Sequence, residues 1–317
     1  MKHFALLLPL LLPFAFVAPQ SPAPVQQEAQ LPTFDHRMLD GLLKRHVKGD
    51  RVDYAGLLKD RAMLDAYCDR LEALTRDAYA ELGANERFAL WANAYNAFTL
   101  QLIVDNYKVD ASGEGETRLG SILDLAEGET SAWQRAFILM GGLADATSKD
   151  GLARTGSAGE GGGRKDSDSE GAKQGSGDHQ GDAAPAITLD HIENGLLRPI
   201  FQDARVHAAV NCASISCPPL RAEAFTGANL DAQLDDQMRA FLADTTRNRF
   251  DAKAKTIELS KIFEWYRPDF EDPSTDKHLV DFLIKYGPAS LGEDREWIRD
   301  AQITYLEYDW RLNDLER

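Results

Sequence analysis

Positive charge is the scarce sign in this chain: 35 Lys and Arg stand against 51 Asp and Glu, a formal charge of −16. No basic run is longer than two residues. Such a chain has no diffuse attraction for nucleic acid or anionic lipid, so a nucleic-acid partner is excluded. Past the N-terminus, no apolar run approaches the length needed to cross a bilayer. Thiols are few, at Cys68, Cys212 and Cys217, and an odd count leaves at least one free or paired between chains. Serine-hydrolase, phosphate-loop and dinucleotide signatures are missing, as is zinc-type His-x-x-x-His spacing, so neither a cofactor nor a metal is expected.

What is present begins with a signal-like segment. Met1-Lys2-His3 precedes an apolar stretch from Phe4 to Ala18, broken by Pro9 and Pro13. Residues 1–18 read as a secretory signal, with an uncleaved anchor as the alternative, and place the protein outside the cell or in the periplasm. Residues 19–32 form a Pro/Gln-rich tether. The stretch from Leu143 to Ala186 carries ten Gly and no aromatic residue. It reads as a disordered insertion in a surface loop, because it cannot bury enough apolar surface to order itself. Roughly 240 residues remain, read as a single domain over 33–317 interrupted at 143–186.

Apolar spacing predicts a helix from Thr33 through Val47 and a second from Asp60 to Leu74, with Cys68 as a small buried thiol in its stripe. A third, Asn85 to Val104, is apolar on almost every face and should be buried all round. Asn93 and Asn96 share one face of it, either pinning a neighbouring loop or contacting a ligand. Thr188 caps a helix to Ile200, and Asn229 or Leu230 starts another to Asp244. Short strands are expected at Arg205–Val210, Thr256–Leu259 and Ile303–Tyr308, and helices at Ser260–Tyr266 and His278–Tyr286. Helices dominate without strand–helix alternation, which predicts an α+β fold: a mainly helical body packed on a small, mostly antiparallel sheet.

Trp91-Ala-Asn93-Ala-Tyr95-Asn96-Ala-Phe98, Leu189-Asp-His191-Ile-Glu193-Asn-Gly-Leu-Leu-Arg198, and Arg205-Val-His207-Ala-Ala-Val-Asn211-Cys212-Ala-Ser-Ile-Ser-Cys217-Pro-Pro-Leu220 form a pattern. Phe263-Glu-Trp265-Tyr266 with Asp269-Phe270, and Tyr308-Asp-Trp310-Arg-Leu312-Asn313, extend it. The pattern resembles the domain-of-unknown-function family 547 over residues 35–315, apart from the Gly-rich insertion. The resemblance implies a domain and a site, not a reaction; it also links the fold loosely to papain-like and transglutaminase-like proteins.

The densest chemistry lies between His191 and Cys217. Cys-dependent acyl transfer needs a thiolate, a His to activate it and an orienting Asn, Asp or Glu. Cys212 is the candidate nucleophile, His207 or His191 the base, and Asn211 or Glu193 the orienter. Amides of the Ser-rich turn would lower the thiol's pKa and could hold an oxyanion. Two alternatives stay open: a Cys212–Cys217 disulfide, or an inert Cys212 pointing into the core from a continuing strand. His191 also reads as a solvated helix-face residue. Arg198 and Arg205, with Asn93 and Asn96, are the candidate ligand-binding groups. Trp265, Tyr266 and Trp310 read as core. The expected function is an exported domain that binds a small molecule or protein through this His/Asn/Cys cleft. The alternative is a thiol-dependent hydrolase or acyl transferase acting on amides or esters.

Overall fold

The run from Phe88 to Val104 offers water no polar face, and the structure buries it. It is the middle of the long helix α5 (Ala84–Asn106), whose Trp91, Ala94 and Ile103 are completely inaccessible. Four Ala between positions 89 and 97 favour the helix intrinsically and let neighbours pack close. This computed structural model describes residues 32–107, 119–140, 143, 186–271 and 278–315. The segments expected as signal and tether, up to residue 31, and nearly all of the Gly-rich stretch lie outside the described residues.

Among the described residues four helices precede α5: α1 (Arg37–His46), α2 (Tyr54–Lys59), α3 (Arg61–Glu72) and α4 (Arg76–Glu81). A two-stranded antiparallel ladder, β1 (Val47–Lys48) and β2 (Arg51–Val52), joins the first two. α1 starts at Arg37, not at Thr33, with His36 as its cap residue. Cys68 is buried on α3, and burial pushes its thiol far up. After α5 comes α6 (His191–Phe201), wound in the wide π pattern with Pro199 inside. Thr188 Oγ1 accepts the His191 N–H at 2.9 Å and so starts it as expected.

A second apolar cluster is built by α8 (Leu230–Ala243), α9 (Ile262–Trp265), α10 (Arg267–Phe270) and α11 (Leu279–Tyr286) around a small sheet. The sheet runs β3 (Arg249–Asp251), β4 (Thr256–Leu259), β5 (Gln302–Tyr305) in spatial order. β3 and β4 are antiparallel with Phe250 opposite Ile257, and β4 and β5 are parallel with Ile257 opposite Ile303. Ile257 and Leu259 alternate inward with polar neighbours outward. The architecture is α+β, with small sheets of two and three strands against a helical body. No helix among the described residues is long and apolar enough to cross a membrane.

The expected strand at Arg205–Val210 is instead a single helical turn, α7 (Val206–Ala209). Asp203 Oδ1 accepts the Arg205 N–H at 2.9 Å and opens the turn. Val206 and Val210 then bury together, with Val210 N–H donating to Val206 O at 3.1 Å. The apparent alternation of Val206, Ala208 and Val210 was equally a helical i, i+4 pair.

Asn93 and Asn96 hold chain rather than ligand. Asn93 Nδ2 donates to Phe225 O at 2.8 Å, and its Oδ1 accepts Phe225 N–H at 2.9 Å. Both groups are buried, so truncation strands two backbone partners away from water. Asn93→Ala should lower stability by about 1–3 kcal/mol, read as a shift of the chemical denaturation midpoint; an unshifted midpoint would contradict this role.

Candidate functional site

The segment Asn211–Cys217 is placed by clamps from four sides. Asn96 Nδ2 donates to Ala209 O and its Oδ1 accepts Asn211 N–H, both at 2.9 Å. Asn211 Oδ1 accepts Ala213 N–H at 2.9 Å and its Nδ2 donates to Pro218 O at 2.8 Å. The buried guanidinium of Arg247 donates to the carbonyls of Cys217, at 2.8 Å, and of Ile215, with Asp244 as its ion-pair partner. The C-terminal chain closes the fourth side: Ile215 N–H donates to Arg311 O at 2.9 Å and Asn313 N–H to Ala213 O at 3.0 Å. Ala213, held by these bonds, sits at φ 62°, a left-handed conformation that costs an L-residue about 1 kcal/mol.

The same stitching carries Tyr308 to the thiol. Cys212 Sγ lies 3.3 Å from Tyr308 Oη and 3.2 Å from Ser214 Oγ. Cys212 N–H donates to Cys217 Sγ at 3.1 Å. Hydrogen bonding from the Cys217 thiol lowers the Cys212 pKa to about 7; burial opposes it, and the Ser214 and Tyr308 hydroxyls add to it. Cys217 itself is pushed well up by burial and then by its neighbour Cys212. Burial therefore keeps the Cys217 thiol protonated beside Cys212.

His207 is buried on α7, and its Nε2 lies 2.7 Å from Asp269 Oδ2. Its ring stacks on Tyr266 at 4.1 Å. Burial disfavours the charge on Asp269, but hydrogen bonds from His207 and Arg198 outweigh it and hold the carboxyl well below the usual range. The ionised Asp269 accepts from Nε2–H, and among the described residues the buried Nδ1 has no hydrogen-bond partner. His207, Cys212, Cys217 and Glu193 all line one pocket of about 330 Å³, walled by Tyr95, Trp133, Trp265, Tyr266, Tyr308 and Trp310.

Several expected site residues fall elsewhere. His191 does not line the pocket; its ring lies against Gly195, where a Cβ would meet Nδ1 at 2.9 Å. Asn211 is spent on Pro218 and Ala213 and does not orient a base. Cys212 and Cys217 are free thiols, so the disulfide is not formed. The turn gives no oxyanion hole from Cys212 or Ala213, whose N–H groups are taken by Cys217 Sγ and Asn211 Oδ1. Arg198 is engaged by Asp269 at 2.6 Å and by Asn194, and Arg205 by Asp203, Asp231 and Asp235; neither is left for a ligand. Trp265, Tyr266 and Trp310 form pocket wall rather than core, with Trp265 46% exposed. Among the described residues no group of three His, Cys, Asp or Glu is arranged to hold a metal ion.

Residues 183–242 match the family described as "Protein of unknown function, DUF547". The resemblance read from the motifs is supported over that stretch. It spans α6, α7, the Cys212 turn and most of α8, so it contains the thiol and its histidine. No curated protein and no solved structure matches the chain. Asp269 and Tyr308, the partners that sequence reasoning missed as site residues, lie outside the DUF547 match. Both belong to the C-terminal motifs quoted above, which was the signal available for them.

The thiolate is the reacting form, so alkylation of Cys212 by iodoacetamide should be fast above pH 7 and fall as pH drops through about 7. Tyr308→Phe removes a donor to the thiolate and should move that midpoint up toward the ordinary thiol value of 9.0. An unmoved midpoint would show that Tyr308 does not stabilise the thiolate.

Proposed function

We propose that this chain is a thiol-dependent acyl-transfer enzyme, hydrolysing or transferring amide or ester acyl groups. The observation that carries the reading is one pocket holding a lowered-pKa thiol and a histidine whose far nitrogen is held by a carboxylate. Cys212 is the nucleophile, His207 the base through Nδ1, and Asp269 the orienter. The expected binding role drew on Arg198 and Arg205 as ligand-binding groups, and carboxylates of the chain already engage both.

The cycle follows from these roles. His207 Nδ1 takes the Cys212 proton, and the thiolate attacks the carbonyl carbon. A carbon–sulfur bond forms, the bond to the leaving amine or alcohol breaks, and the imidazolium returns the proton to that leaving group. Water or an acceptor then attacks the thioester and gives its proton to His207, the carbon–sulfur bond breaks to release the thiolate, and the imidazolium returns its proton to Sγ, restoring the thiol and the neutral base. Asp269 stabilises the imidazolium in both halves. Nδ1 and Sγ are not hydrogen-bonded in the free protein; in this mechanism they come within reach only when substrate binds. The signal-like N-terminus puts this activity, in the same reading, in an exported compartment.

A panel of fluorogenic amides and esters tests the proposal. Cys212→Ser should fold with an unchanged melting temperature and lose at least about a thousandfold in kcat/KM. Asp269→Asn should cut kcat by about a hundredfold or more with little change in KM, because it releases the tautomer and not the substrate. Hydrolysis surviving in folded Cys212→Ser would sink the reading.

A further inference from the structure

The pocket has a marked imbalance of charge. Among the described residues two carboxylates, Asp190 and Glu193, line it and no Lys or Arg does. Its one basic side chain, His207, is already bonded to Asp269. Glu193 is only 8% exposed, and among the described residues no cation forms an ion pair with it. Its neighbour is the Tyr266 hydroxyl, whose pKa is pushed far up by burial and then by the Glu193 charge. The guanidinium on the same helix, Arg198, bonds Asp269 and Asn194 and acts on Glu193 only through space. Asp190 accepts one hydrogen bond, from Asn194 Nδ2 at 2.8 Å, and is otherwise exposed.

Aromatic rings supply the facing wall. Trp265 stacks on Trp310 at 5.7 Å and 20°, and Tyr308 lies 4.4 Å from Trp310 and 4.8 Å from Trp265. Trp265 keeps nearly half its surface open. Indole and phenol faces are electron-rich and attract cations, most strongly where water is displaced. A buried carboxylate with no cation directly paired to it is costly, and a ligand cation placed beside it recovers part of that cost. An anionic ligand would meet repulsion from both carboxylates and from the ring faces.

We propose that this pocket selects substrates bearing a positively charged nitrogen, a substituted ammonium or a guanidinium, near the acyl group. Glu193 and Asp190 supply the charge, and the open faces of Trp265 and its neighbours the wall. The inference rests on Cys212 being the reactive thiol, and it names the substrate class for that site.

Charged thiol reagents test it without a known substrate. Three methanethiosulfonates are compared, carrying trimethylammonium-ethyl, methyl or sulfonatoethyl groups. In each case the thiolate attacks the sulfenyl sulfur, a disulfide forms and methanesulfinate leaves. Label at Cys212 is located by fragment mass spectrometry, and each rate is divided by that for 2-mercaptoethanol. The cationic reagent should exceed the neutral one by about tenfold and the anionic one should fall below it, with the spread shrinking as salt is raised. Glu193→Gln and Asp190→Asn, made separately and together, should bring the cationic-to-neutral ratio toward about twofold or less. Two substitutions guard against one of them failing to fold, checked by melting. Equal normalised rates, or a cationic preference indifferent to both substitutions, would overturn the cation site while leaving the thiol reading intact. Neutral and cationic reagents both failing to label Cys212 above the Cys212→Ser background would instead overturn the thiol reading, and this inference with it.

Discussion

The Asn96 side-chain amide is the contact on which the site depends. It sits mid-way along a helix buried on all sides and grips the chain on both sides of Val210, at Ala209 O and Asn211 N. An amide has one donor end and one acceptor end, so it can satisfy two backbone groups of opposite polarity only in one orientation. That fixes the turn containing Cys212 relative to the buried helix α5. The left-handed Ala213 is tolerated for the same reason: the groups around it are over-determined, and its backbone has no freedom to relax.

Charge around the thiol is arranged by the same economy of contacts. Arg247 is buried, yet its charge is met by Asp244, and its N–H groups are used on two carbonyls of the Cys212 turn. Arg198 grips Asp269 with two nitrogens and lies over the Tyr266 ring at 4.7 Å. It thereby steadies both the carboxylate that holds His207 and the ring on which His207 stacks. These cations are internal fixtures, which leaves the pocket in front of Cys212 with carboxylates and aromatic faces and, among the described residues, no Lys or Arg.

Much of this could be read in the residues themselves. The uninterrupted apolar helix, the cap at Thr188, the inward stripe Leu230, Leu234, Met238 and Phe241, and the buried Cys68 are local patterns, and local patterns survive into the fold. Cys212, His207 and Glu193 were legible as chemistry because they are close in sequence and of reactive type. The turn at Val206–Ala209 was misread because a four-residue helix and a short strand share an apolar spacing, and Asp203 decides between them only through a hydrogen bond.

By itself, then, the sequence determined the helical body, the acidic charge and which thiol and imidazole were worth watching. Only the tertiary structure decided their partners. Asp269 reaches His207 across 62 positions, and Tyr308 reaches Cys212 across 96, through the packing of the C-terminal chain against the turn. No periodicity encodes such pairings, because they depend on where separate elements come to rest. The same packing drew Arg198 and Arg205 to carboxylates of the chain and turned three aromatic residues from expected core into pocket wall. A side chain's type sets what it can do; its neighbours in the folded chain decide which of those things is left to it.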